Sequence, residues 1–349
     1  MGKKVLLVEF NNWHDECLFT ACSFLKAQGC EYSLVLNSRL KGRVGKEIYG
    51  DAPVLFLSFD GLRNLISSFN KIRGMLKREG YTHLYLNTAQ GSVAWKFFLS
   101  PIPRRIKVVG VIHNIAKLKG SFGQHLITRR IDRYLLLSDM LLEAYKESCK
   151  KPVTVFYPID YPSYGSVEIA KPSGELWIAV PGEMSYMRRD YDAIINSASA
   201  YGKNVKFIFL CNSHKADGDS IVSRIREYDL AGNVILFDSF VDNTTFYSYI
   251  RECDYIMPLV HPSKEKYAKY VIEKISGTYN IAFAYKKIML CPSEMAAYSD
   301  FSDTSLFYDE RDLCGFVNSL SAVADTSTFY RLEKWERKAR YSVAREILD

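Results

Sequence analysis

The stretch DYIMPLVHPSKEKYAKYVIEKISGTYNIAFA, residues 254–284, contains the pattern from which we predict the fold. Its first residues are apolar and predict a strand. The polar turn at 261–263 leads into a segment, 265–275, that has the composition of a helix. Such a helix would carry Glu265 in its first turn and bring Glu273 to roughly the same side two turns later. A strand, a loop and a helix in this order are typical of parallel sheets.

The alternation of short apolar runs with longer amphipathic stretches extends over the whole chain and predicts an α/β protein. In the first half we predict helices that include Cys17–Ala27 and Leu62–Glu79, and strands at Lys4–Phe10, Tyr32–Leu36, Val54–Phe56, His83–Asn87, Lys107–Ile112, Arg133–Leu137 and Val153–Phe156. In the second half the predicted strands are Glu175–Val180, Val205–Cys211, Val234–Phe237 and Asp254–Leu259, with a further extended segment at Asn280–Ala284. Helices are predicted there at Asp190–Tyr201, Ser220–Tyr228, Thr244–Arg251, Glu265–Ile275, Glu310–Ala324 and Thr328–Asp349.

The chain length and one break in the pattern predict the domain organisation. With 349 residues the chain is too long for one hydrophobic core and suits two α/β domains. Prolines, serines and glycines accumulate over 157–174, as they do in interdomain linkers, and the strand pattern restarts at 175. We therefore predict doubly wound, Rossmann-like domains at 1–160 and 175–327, joined by a linker at 161–174. A C-terminal helix at 328–349 is expected to pack back toward the first domain.

The composition is that of a soluble globular protein, with 48% hydrophobic and 24% charged residues. No stretch approaches the roughly 20 apolar residues of a membrane span. The run VLLV near the start is too short for a signal peptide and predicts a strand. The eight cysteines form no C-x-x-C pair, so we expect free thiols in a reducing cytoplasm rather than a zinc site or disulfides.

The formal net charge is +7, and the excess is concentrated in the first half of the chain. Such a patch can bind nucleic acid, anionic lipid or a phosphorylated substrate, or it can simply keep the protein soluble. No nucleic-acid-binding motif is present, so a nucleic-acid partner is not expected. Nearby apolar residues, among them Trp95 and Leu99, suit a membrane surface. The basic residues are Lys96, Arg104, Arg105, Lys107, Lys117, Lys119, Arg129, Arg130 and Arg133.

Loops that follow strands are where parallel sheets bind ligands. The first such loop, NNWHD at 11–15, lacks the glycines that let a backbone approach a pyrophosphate, so we expect any nucleotide in the second domain. His14 in this loop is a candidate general base; the alternative is a helix start capped by Asp15 or Asn12. Candidate ligands for substrate hydroxyls, for which turn hydrogen bonding is the alternative role, are Asn12, Asn87, Thr88 and Gln90.

The stretch quoted first carries a resemblance to a known family. Pro262-Ser263, Glu265, seven further residues, Glu273 and then Gly277 resemble the E-x7-E motif of retaining GT-B glycosyltransferases of the glycogen-synthase or group 1 type. The resemblance implies a GT-B fold with a cleft between two Rossmann-like domains. It implies that Glu265 lies near the transferred sugar and Glu273 binds ribose, although both could be solvent-facing helix residues. Further donor-binding residues are then Ser263, Lys274, Ser276 and Gly277.

Two other segments are similar to the same family. Residues 180–198 resemble a strand, a glycine-containing loop and a helix with a diphosphate-binding cation, which marks Gly182, Arg189 and, next, Arg188. The alternative for Arg189 is an ion pair with a neighbouring aspartate. VIHNI at 111–115 resembles a strand ending in a histidine that faces the donor, so His113 is a catalytic candidate or a core histidine. Departures from the family, such as Tyr267 where a glycine-rich step is usual, leave donor and stereochemistry open.

The resemblance implies transfer of a sugar from a nucleotide-diphosphate donor to a glycan or lipid-linked acceptor, in surface polysaccharide or glycan assembly. A retaining mechanism is favoured and an inverting one remains open. No metal or other cofactor is expected, because helix dipoles and cationic side chains can stabilise a leaving diphosphate. The protein is expected in the cytoplasm, with peripheral contact to an anionic membrane. The alternatives are a nucleotide-sugar epimerase and a GT-B scaffold that has lost turnover.

Overall fold

The chain folds into two compact units, each built around its own parallel sheet. A computed structural model describes residues 2–197, 200–321 and 326–349. The first unit comprises the chain up to Ser163 together with Glu336–Asp349, and the second comprises Tyr164–Trp335.

The first unit contains a sheet whose seven strands all run parallel. They are β1 (Lys4–Glu9), β2 (Glu31–Asn37), β3 (Val54–Leu57), β4 (His83–Leu86), β5 (Lys107–Val111), β6 (Arg133–Leu136) and β7 (Val153–Val155). Their order in the sheet is β3-β2-β1-β4-β5-β6-β7. Every one of these strands was predicted within one residue of its observed ends. Central strands such as β1 are apolar on both faces because helices cover both faces of a parallel sheet.

The helices of the first unit follow the strands in the βαβ manner. They are α1 (Leu18–Ala27), α2 (Lys46–Tyr49), α3 (Gly61–Arg78), α4 (Ser92–Phe97), α5 (Phe122–Arg130) and α6 (Leu142–Ser148), with 3₁₀ turns at Asp15–Cys17, Ser38–Leu40, Ile115–Leu118 and Asp139–Leu141. The longest helix, α3, buries Leu65, Phe69, Ile72 and Leu76. Their spacing of three and four residues gives the apolar stripe that holds a helix against a sheet.

The second unit repeats the design with six parallel strands. They are β8 (Leu176–Pro181), β9 (Val205–Asn212), β10 (Val234–Phe237), β11 (Tyr255–Ile256), β12 (Ile288–Pro292) and β13 (Ser305–Tyr308), in the order β10-β9-β8-β11-β12-β13. The helices are α7 (Asp192–Ile195), α8 (Gly218–Glu227), α9 (Asn243–Glu252), α10 (Glu265–Ile272), α11 (Gly277–Tyr285) and α12 (Leu313–Ser319). Further 3₁₀ turns lie at Ala231–Asn233, Ser293–Ala297, Glu310–Asp312 and Glu333–Trp335.

The prediction of an extended segment at Asn280–Ala284 was wrong, because these residues lie inside α11. The Ser276 side chain accepts a hydrogen bond from the Thr278 N–H and starts this helix. The sheet positions that follow are filled by β12 and β13, which the sequence analysis missed. A short apolar run such as IAFAY does not by itself distinguish a buried strand from a buried helix.

Other predicted elements are shorter in the structure. The strand predicted at Asp254–Leu259 is reduced to β11, because Pro258 cannot donate to a sheet and Leu259 adopts a left-handed φ of 53°. The helix predicted at Asp190–Tyr201 is observed as α7, and residues 198–199 lie outside the described residues. The helix predicted at Glu310–Ala324 is observed as a 3₁₀ turn and α12, and residues 322–324 of it lie outside the described residues.

The segment predicted as a linker, 161–174, is divided between the two units at Ser163 and Tyr164. Its second part packs on the second unit: the Val167 N–H donates to Ser248, and Lys171 pairs with Asp254 at 2.6 Å. Proline-rich composition therefore marked a change of unit here but not an unstructured connection.

The predicted continuous C-terminal helix is instead broken. After a 3₁₀ turn at Glu333–Trp335, the chain forms α13 (Arg337–Val343) and a second 3₁₀ turn at Ala344–Leu348. A buried carboxylate, Asp160, holds this segment in the first unit. Its Oδ1 accepts hydrogen bonds from Arg337 Nε and Arg340 Nη2, both at 2.8 Å, and its Oδ2 accepts one from the Tyr341 hydroxyl at 2.7 Å.

Replacing Asp160 by Asn should destabilise the first unit. Arg340 and Asp160 are both almost fully buried, so the substitution would leave the arginine without this counter-charge, at a cost of about 3 kcal/mol or more. The free energy of unfolding in urea measures the loss. Asp60→Asn is a matched control: its ion pair with Arg39 is exposed, so the expected loss is below about 1 kcal/mol. Equal losses in the two variants would show that Asp160 does not anchor α13.

Candidate functional site

Each sheet has a point at which the strand order reverses, between β1 and β4 in the first unit and between β8 and β11 in the second. In open parallel sheets, ligands bind beyond the carboxyl ends of the strands at this reversal, where the flanking loops diverge. Polar side chains gather at both of these places. We describe them as the first-unit cluster (Glu9, His14, Asn87, Thr88 and His113) and the second-unit cluster (Gly182, Arg188, Arg189, Lys274 and Thr278).

The centre of the first-unit cluster is the carboxylate of Glu9, the last residue of β1, which has no exposed surface. One oxygen accepts hydrogen bonds from the backbone N–H and side-chain amide of Asn11, at 2.7 and 3.1 Å. The other accepts from the Asn87 amide at 2.7 Å and the Thr88 hydroxyl at 2.6 Å. These four bonds tie the loop after β1 to the loop after β4.

Two histidines stack above this carboxylate. The rings of His14 and His113 are 3.6 Å apart between centroids and 14° from parallel. His113 Nε2 lies 2.7 Å from the Asn87 carbonyl oxygen; since a carbonyl only accepts, Nε2 carries the proton and Nδ1 has the lone pair. His14 Nδ1 lies 3.3 Å from the carboxylate of Glu16. A carboxylate favours the proton on the nitrogen it faces, which leaves the lone pair of His14 on Nε2.

The backbone of His14 has a left-handed φ of 67°, which is uncommon for a residue with a side chain. Two contacts hold it. The His14 carbonyl accepts a hydrogen bond from the Asn87 amide at 2.8 Å, and Arg43 bonds both the Asn12 carbonyl and the Asp15 carboxylate. Strained residues that are fixed by their surroundings are frequent at functional sites, so this conformation supports a role for the loop.

The environment of the cluster changes the proton affinity of its members. Burial raises the pKa of Glu9, although hydrogen bonds from Thr88 and the Asn11 backbone oppose the shift. Burial and the neighbouring His14 lower the pKa of His113 to about 3, so this imidazole is neutral near pH 7. Desolvation acts to raise the pKa of Glu16, but the hydrogen bond with His14 and the electrostatic attraction to His14 and His113 together outweigh it, and the net shift is downward.

Three of the predicted hydroxyl-binding residues make hydrogen bonds within the first unit. Asn87 and Thr88 are buried; the Asn87 amide nitrogen donates to Glu9 and to the His14 carbonyl, and the Thr88 hydroxyl donates to Glu9. The Gln90 side-chain oxygen accepts the backbone N–H groups of His113 and Asn114, both at 3.1 Å. All three support the loops. Asn12 stays partly exposed in the loop after β1, next to Trp13, which is 56% exposed.

Sequence reasoning missed Glu9, although a signal was present. It is the one acid of the run KVLLVEF, and it stands at the end of a strand whose other residues are apolar. A carboxylate within an apolar strand must find hydrogen-bond donors to be buried, and such donors collect at strand ends. Its partners Asn87 and Thr88 lie about eighty positions away, so only the parallel pairing of β1 with β4 identifies them.

The second-unit cluster begins at Gly182, which follows β8 with φ of 99°. A Cβ atom there would lie 2.5 Å from Arg189 Nη2, so the glycine is required by both conformation and space. Arg189 is buried and donates to the carbonyl oxygens of Pro181 and Glu183 and to the Thr278 hydroxyl. Neither Asp190 nor Asp192 pairs with it, so the ion pair offered as an alternative is not formed. Arg189 instead fastens the loop after β8 to α11.

Arg188 and Lys274 are the cations of this cluster that face outward. Arg188 is largely exposed and lies 3.4 Å from the Glu183 carboxylate. Desolvation lowers the pKa of Lys274, and the positive charge of Arg188 lowers it further. Two like charges that repel each other in the protein are stabilised when an anion binds to both. Of the cations proposed from the sequence, this pair is the better placed to hold a diphosphate.

The first turn of α11 lies beside these cations, because Arg189 bridges Pro181 and Thr278. Ser276 caps this turn and Gly277 opens it, in open space that does not require a glycine. Asn280, one turn into the helix, is buried, and its Oδ1 has no hydrogen-bond partner among the described residues. A helix start with free N–H groups and a positive dipole end favours anions.

The helix predicted at Glu265–Ile275 is observed, but it ends three residues earlier than predicted. α10 begins at Glu265, which is exposed, and ends at Ile272, so Glu273 caps the helix at its C-terminal end. The helix ends here with the N–H groups of both Glu273 and Lys274 donating to the Lys269 carbonyl. The Ser263 hydroxyl bonds to Glu310 at 2.6 Å. The E-x7-E spacing thus runs from the first residue of α10 to its C-cap, and the roles of the two carboxylates stay a prediction.

Buried polar contacts also fix the loop after β8, which carries Arg188. Tyr267, which stands where the family usually has a glycine-rich step, is fully buried. Its hydroxyl donates to the carbonyls of Tyr186 and Arg189. Asp190 pairs with His261 at 2.8 Å and with Lys264. Burial acts to raise the pKa of Asp190, but these two partners lower it overall. The loop that carries Arg188 is therefore fixed on both sides.

Comparisons with known proteins identify the fold but not a family. No protein-family model matches the chain, and no curated protein sequence does either. The structure of Anabaena Alr3699/HepE in complex with UDP and glucose matches with a TM-score of 0.63 and 13% identity, over 99% of this chain and 96% of the other. The apo form of the lipopolysaccharide outer core galactosyltransferase WaaB matches with a TM-score of 0.62 and 10% identity, over 99% of each chain. A putative UDP-N-acetylglucosamine 2-epimerase from Listeria monocytogenes matches with a TM-score of 0.60 and 10% identity, over 98% and 90%.

The protein thus has the GT-B fold, with Rossmann-like sheets of seven and six parallel strands. Within the described ranges, no group of three or more His, Cys, Asp or Glu side chains is arranged to hold a metal ion. In the same ranges, no helix has the length and apolar character needed to cross a bilayer.

The pH dependence of stability tests the environment of His113. Because its folded pKa of about 3 lies below the ordinary 6.5, the unfolded chain binds more protons between these values, and stability is lost as pH falls through them. His113→Gln removes this group, so the free energy of unfolding should fall less steeply with pH, by up to about 1.4 kcal/mol per pH unit. Urea unfolding at a series of pH values from 6.5 downward measures the free energy of unfolding, and His125→Gln, at an exposed histidine, is the control. Parallel pH profiles for wild type and His113→Gln would contradict the assignment.

Proposed function

We propose that the protein is a glycosyltransferase that uses a nucleotide-diphosphate sugar. The observation that carries the proposal is the outward-facing cation pair Arg188 and Lys274 beside the Gly182 loop and the first turn of α11. A diphosphate needs positive charge, N–H donors and close backbone approach, and these three features supply them. UDP complexes of the HepE structure, which has the same fold, support a nucleotide-sugar as the donor class.

The donor's ribose has two candidate partners. Glu273 lies directly before Lys274, and a carboxylate can accept both ribose hydroxyls. Asn280 offers a buried Oδ1 that lacks a donor within the described chain, and an incoming hydroxyl would satisfy it. The two assignments are separable, because Glu273→Ala and Asn280→Ala should differ in their effect on the affinity for a nucleoside diphosphate.

In the first unit, we assign acceptor activation to His14. Glu16 would hold the imidazole in the tautomer whose Nε2 can take a proton from an acceptor hydroxyl, as carboxylates do for catalytic histidines elsewhere. Neutral His113 supports this ring by stacking. Trp13 and Asn12 precede His14 in the same loop. The Trp13 ring can pack on the apolar face of a sugar, and the Asn12 amide can form hydrogen bonds with its hydroxyls. A glycan or a lipid-linked sugar is the acceptor class we propose.

General-base activation of the acceptor belongs to inverting transfer, so the His14–Glu16 pair favours that version. The retaining version depends on Glu265, which is exposed at the start of α10. Analysis of the anomeric configuration of the product decides between them. A nucleotide-sugar epimerase is the second candidate, favoured by the epimerase structure of the same fold. Incubation with the donor alone distinguishes it, since only an epimerase converts the sugar without an acceptor.

Binding of nucleoside diphosphates should depend on the cation pair. We expect UDP, or another nucleoside diphosphate from a screened set, to raise the melting temperature of the wild type. Arg188→Ala and Lys274→Ala should each weaken binding about tenfold, since each removes a charge-assisted contact of about 1.5 kcal/mol. The control is Lys266→Ala, an exposed lysine of α10. If no nucleoside diphosphate binds, or if all three variants bind like the wild type, the donor assignment fails.

Transfer should require His14 while donor binding should not. His14→Asn removes the base, and we expect the turnover number to fall by about a hundredfold or more. Thermal shift by the bound nucleoside diphosphate should stay unchanged, because His14 belongs to the other unit. His214→Asn, an exposed histidine of the second unit, is the matched control. Full activity of His14→Asn would exclude it as the base, and absence of turnover by the wild type with every donor would favour a scaffold.

A further inference from the structure

The strongest unexplained feature is a stretch of the first unit with unbalanced charge. Between Glu79 and Asp132 the sequence has eight lysines or arginines and no acid. Within the described part of the chain, only Arg130 among these eight lies within 4.0 Å of a carboxylate, that of Asp132 at 3.9 Å. A folded protein ordinarily mixes charges of both signs on its surface. The stretch therefore has a positive potential that the protein itself does not neutralise.

Two of these cations form hydrogen bonds that support the fold, and the side chains of the others are free to contact a partner. Arg105 donates to the carbonyls at the end of α3, and Arg130 donates to the carbonyls of Pro103 and Ile106. The side chains of the remaining six are exposed and make no hydrogen bond or ion pair in the described structure: Lys96, Arg104, Lys107, Lys117, Lys119 and Arg129. Lys96 and Arg129 lie on the helices α4 and α5, and Lys117 and Lys119 lie in and just after the turn Ile115–Leu118. Arg104 and Lys107 lie just before and at the start of β5, the end of that strand away from the turn.

Large apolar side chains are exposed among these charges. Phe122, the first residue of α5, is 73% exposed, and Leu99, just after α4, is 61% exposed. Along α5 the exposed residues are Phe122, His125 and Arg129, which follow the i, i+3, i+7 spacing of one helix face. Exposure of a phenylalanine costs free energy unless a partner covers it. A face that combines aromatic and cationic groups is typical of helices that lie on membranes.

A groove next to α5 is also lined by apolar and cationic side chains. It has a volume of about 700 Å³, and its walls include Leu118, Phe122, His125, Lys150 and Lys151. No carboxylate lines it. Two lysines beside an apolar wall can hold a phosphate and the first carbons attached to it.

We propose that this surface, formed by α4, α5, the turn Ile115–Leu118 and the groove, docks on an anionic lipid bilayer. Phe122 and Leu99 enter the interface between headgroups and acyl chains, and the free cations contact the phosphates. Nucleic acid would use the cations but would leave both aliphatic and aromatic side chains exposed to water, so the bilayer is the better match. The surface adjoins the first-unit cluster, because His113 is two residues before the Ile115–Leu118 turn. The proposal does not rest on the proposed transfer reaction.

Vesicle sedimentation tests the proposal without any sugar nucleotide. Wild-type protein should sediment with phosphatidylcholine vesicles that contain phosphatidylglycerol, at low salt, and should stay in solution with pure phosphatidylcholine. Lys117→Glu with Lys119→Glu, and separately Phe122→Ser, should each lower the partition coefficient by about tenfold or more. A melting temperature like that of the wild type shows that each variant is folded.

The matched control is Lys203→Glu with Lys215→Glu, which changes the charge equally on exposed positions of the second unit. It should bind vesicles as the wild type does. Equal losses in both charge-reversal pairs would mean that only net charge matters and would overturn the proposal. So would absence of wild-type binding to anionic vesicles, or tight binding to single-stranded or duplex DNA with none to vesicles.

Discussion

One buried carboxylate determines how the functional end of the first unit is organised. Glu9 is charged or strongly polar, has no exposed surface and therefore needs every hydrogen bond that the loops around it can give. Asn11, Asn87 and Thr88 meet that need and, in doing so, join the loops after β1 and β4. The same Asn87 fixes the backbone of His14 and the tautomer of His113. The geometry of both histidines thus depends on the burial of a single acid.

In the second unit, a buried cation rather than a buried carboxylate joins the loops at the carboxyl ends of the strands. Arg189 is buried among carbonyl oxygens and the Thr278 hydroxyl, so it closes the glycine loop onto α11, whereas the neighbouring Arg188 is exposed. Tyr267 and the Asp190–His261–Lys264 group hold the same loop from the other side. In both units, buried polar groups shape the loops, and less buried polar residues lie next to them in the chain. This division follows from desolvation, because a polar group that is fully satisfied inside the protein has little left to offer a substrate.

Much of the architecture was predictable because it depends on local pattern. The strands of the first unit were predicted within one residue, since a strand buried on both faces gives an apolar run with sharp ends.

The errors occurred where tertiary context overrides local preference. IAFAY became helix because Ser276 caps it and β12 occupies the sheet, and the strand before it was cut short at Pro258. The candidate His14 came from its place in the loop after a strand, whereas Gly182, Arg188, Lys274 and His113 came from the family resemblance; the roles of all five stay predictions. The pair Glu265 and Glu273 was selected by its spacing in the sequence, and it lies at the first residue and at the C-cap of α10.

The sequence by itself determined the fold class, the two-sheet organisation and the ends of the strands at which polar groups collect. Alternating apolar runs dictate these features through burial alone. Only the tertiary structure decided which polar residues work together, because Glu9 meets Asn87, and Arg189 meets Thr278, across more than seventy positions. It also decided that Asp160 retains the C-terminal segment in the first unit. Hydrogen bonds between distant residues depend on how parallel strands are ordered in the sheet, and no local pattern encodes that order.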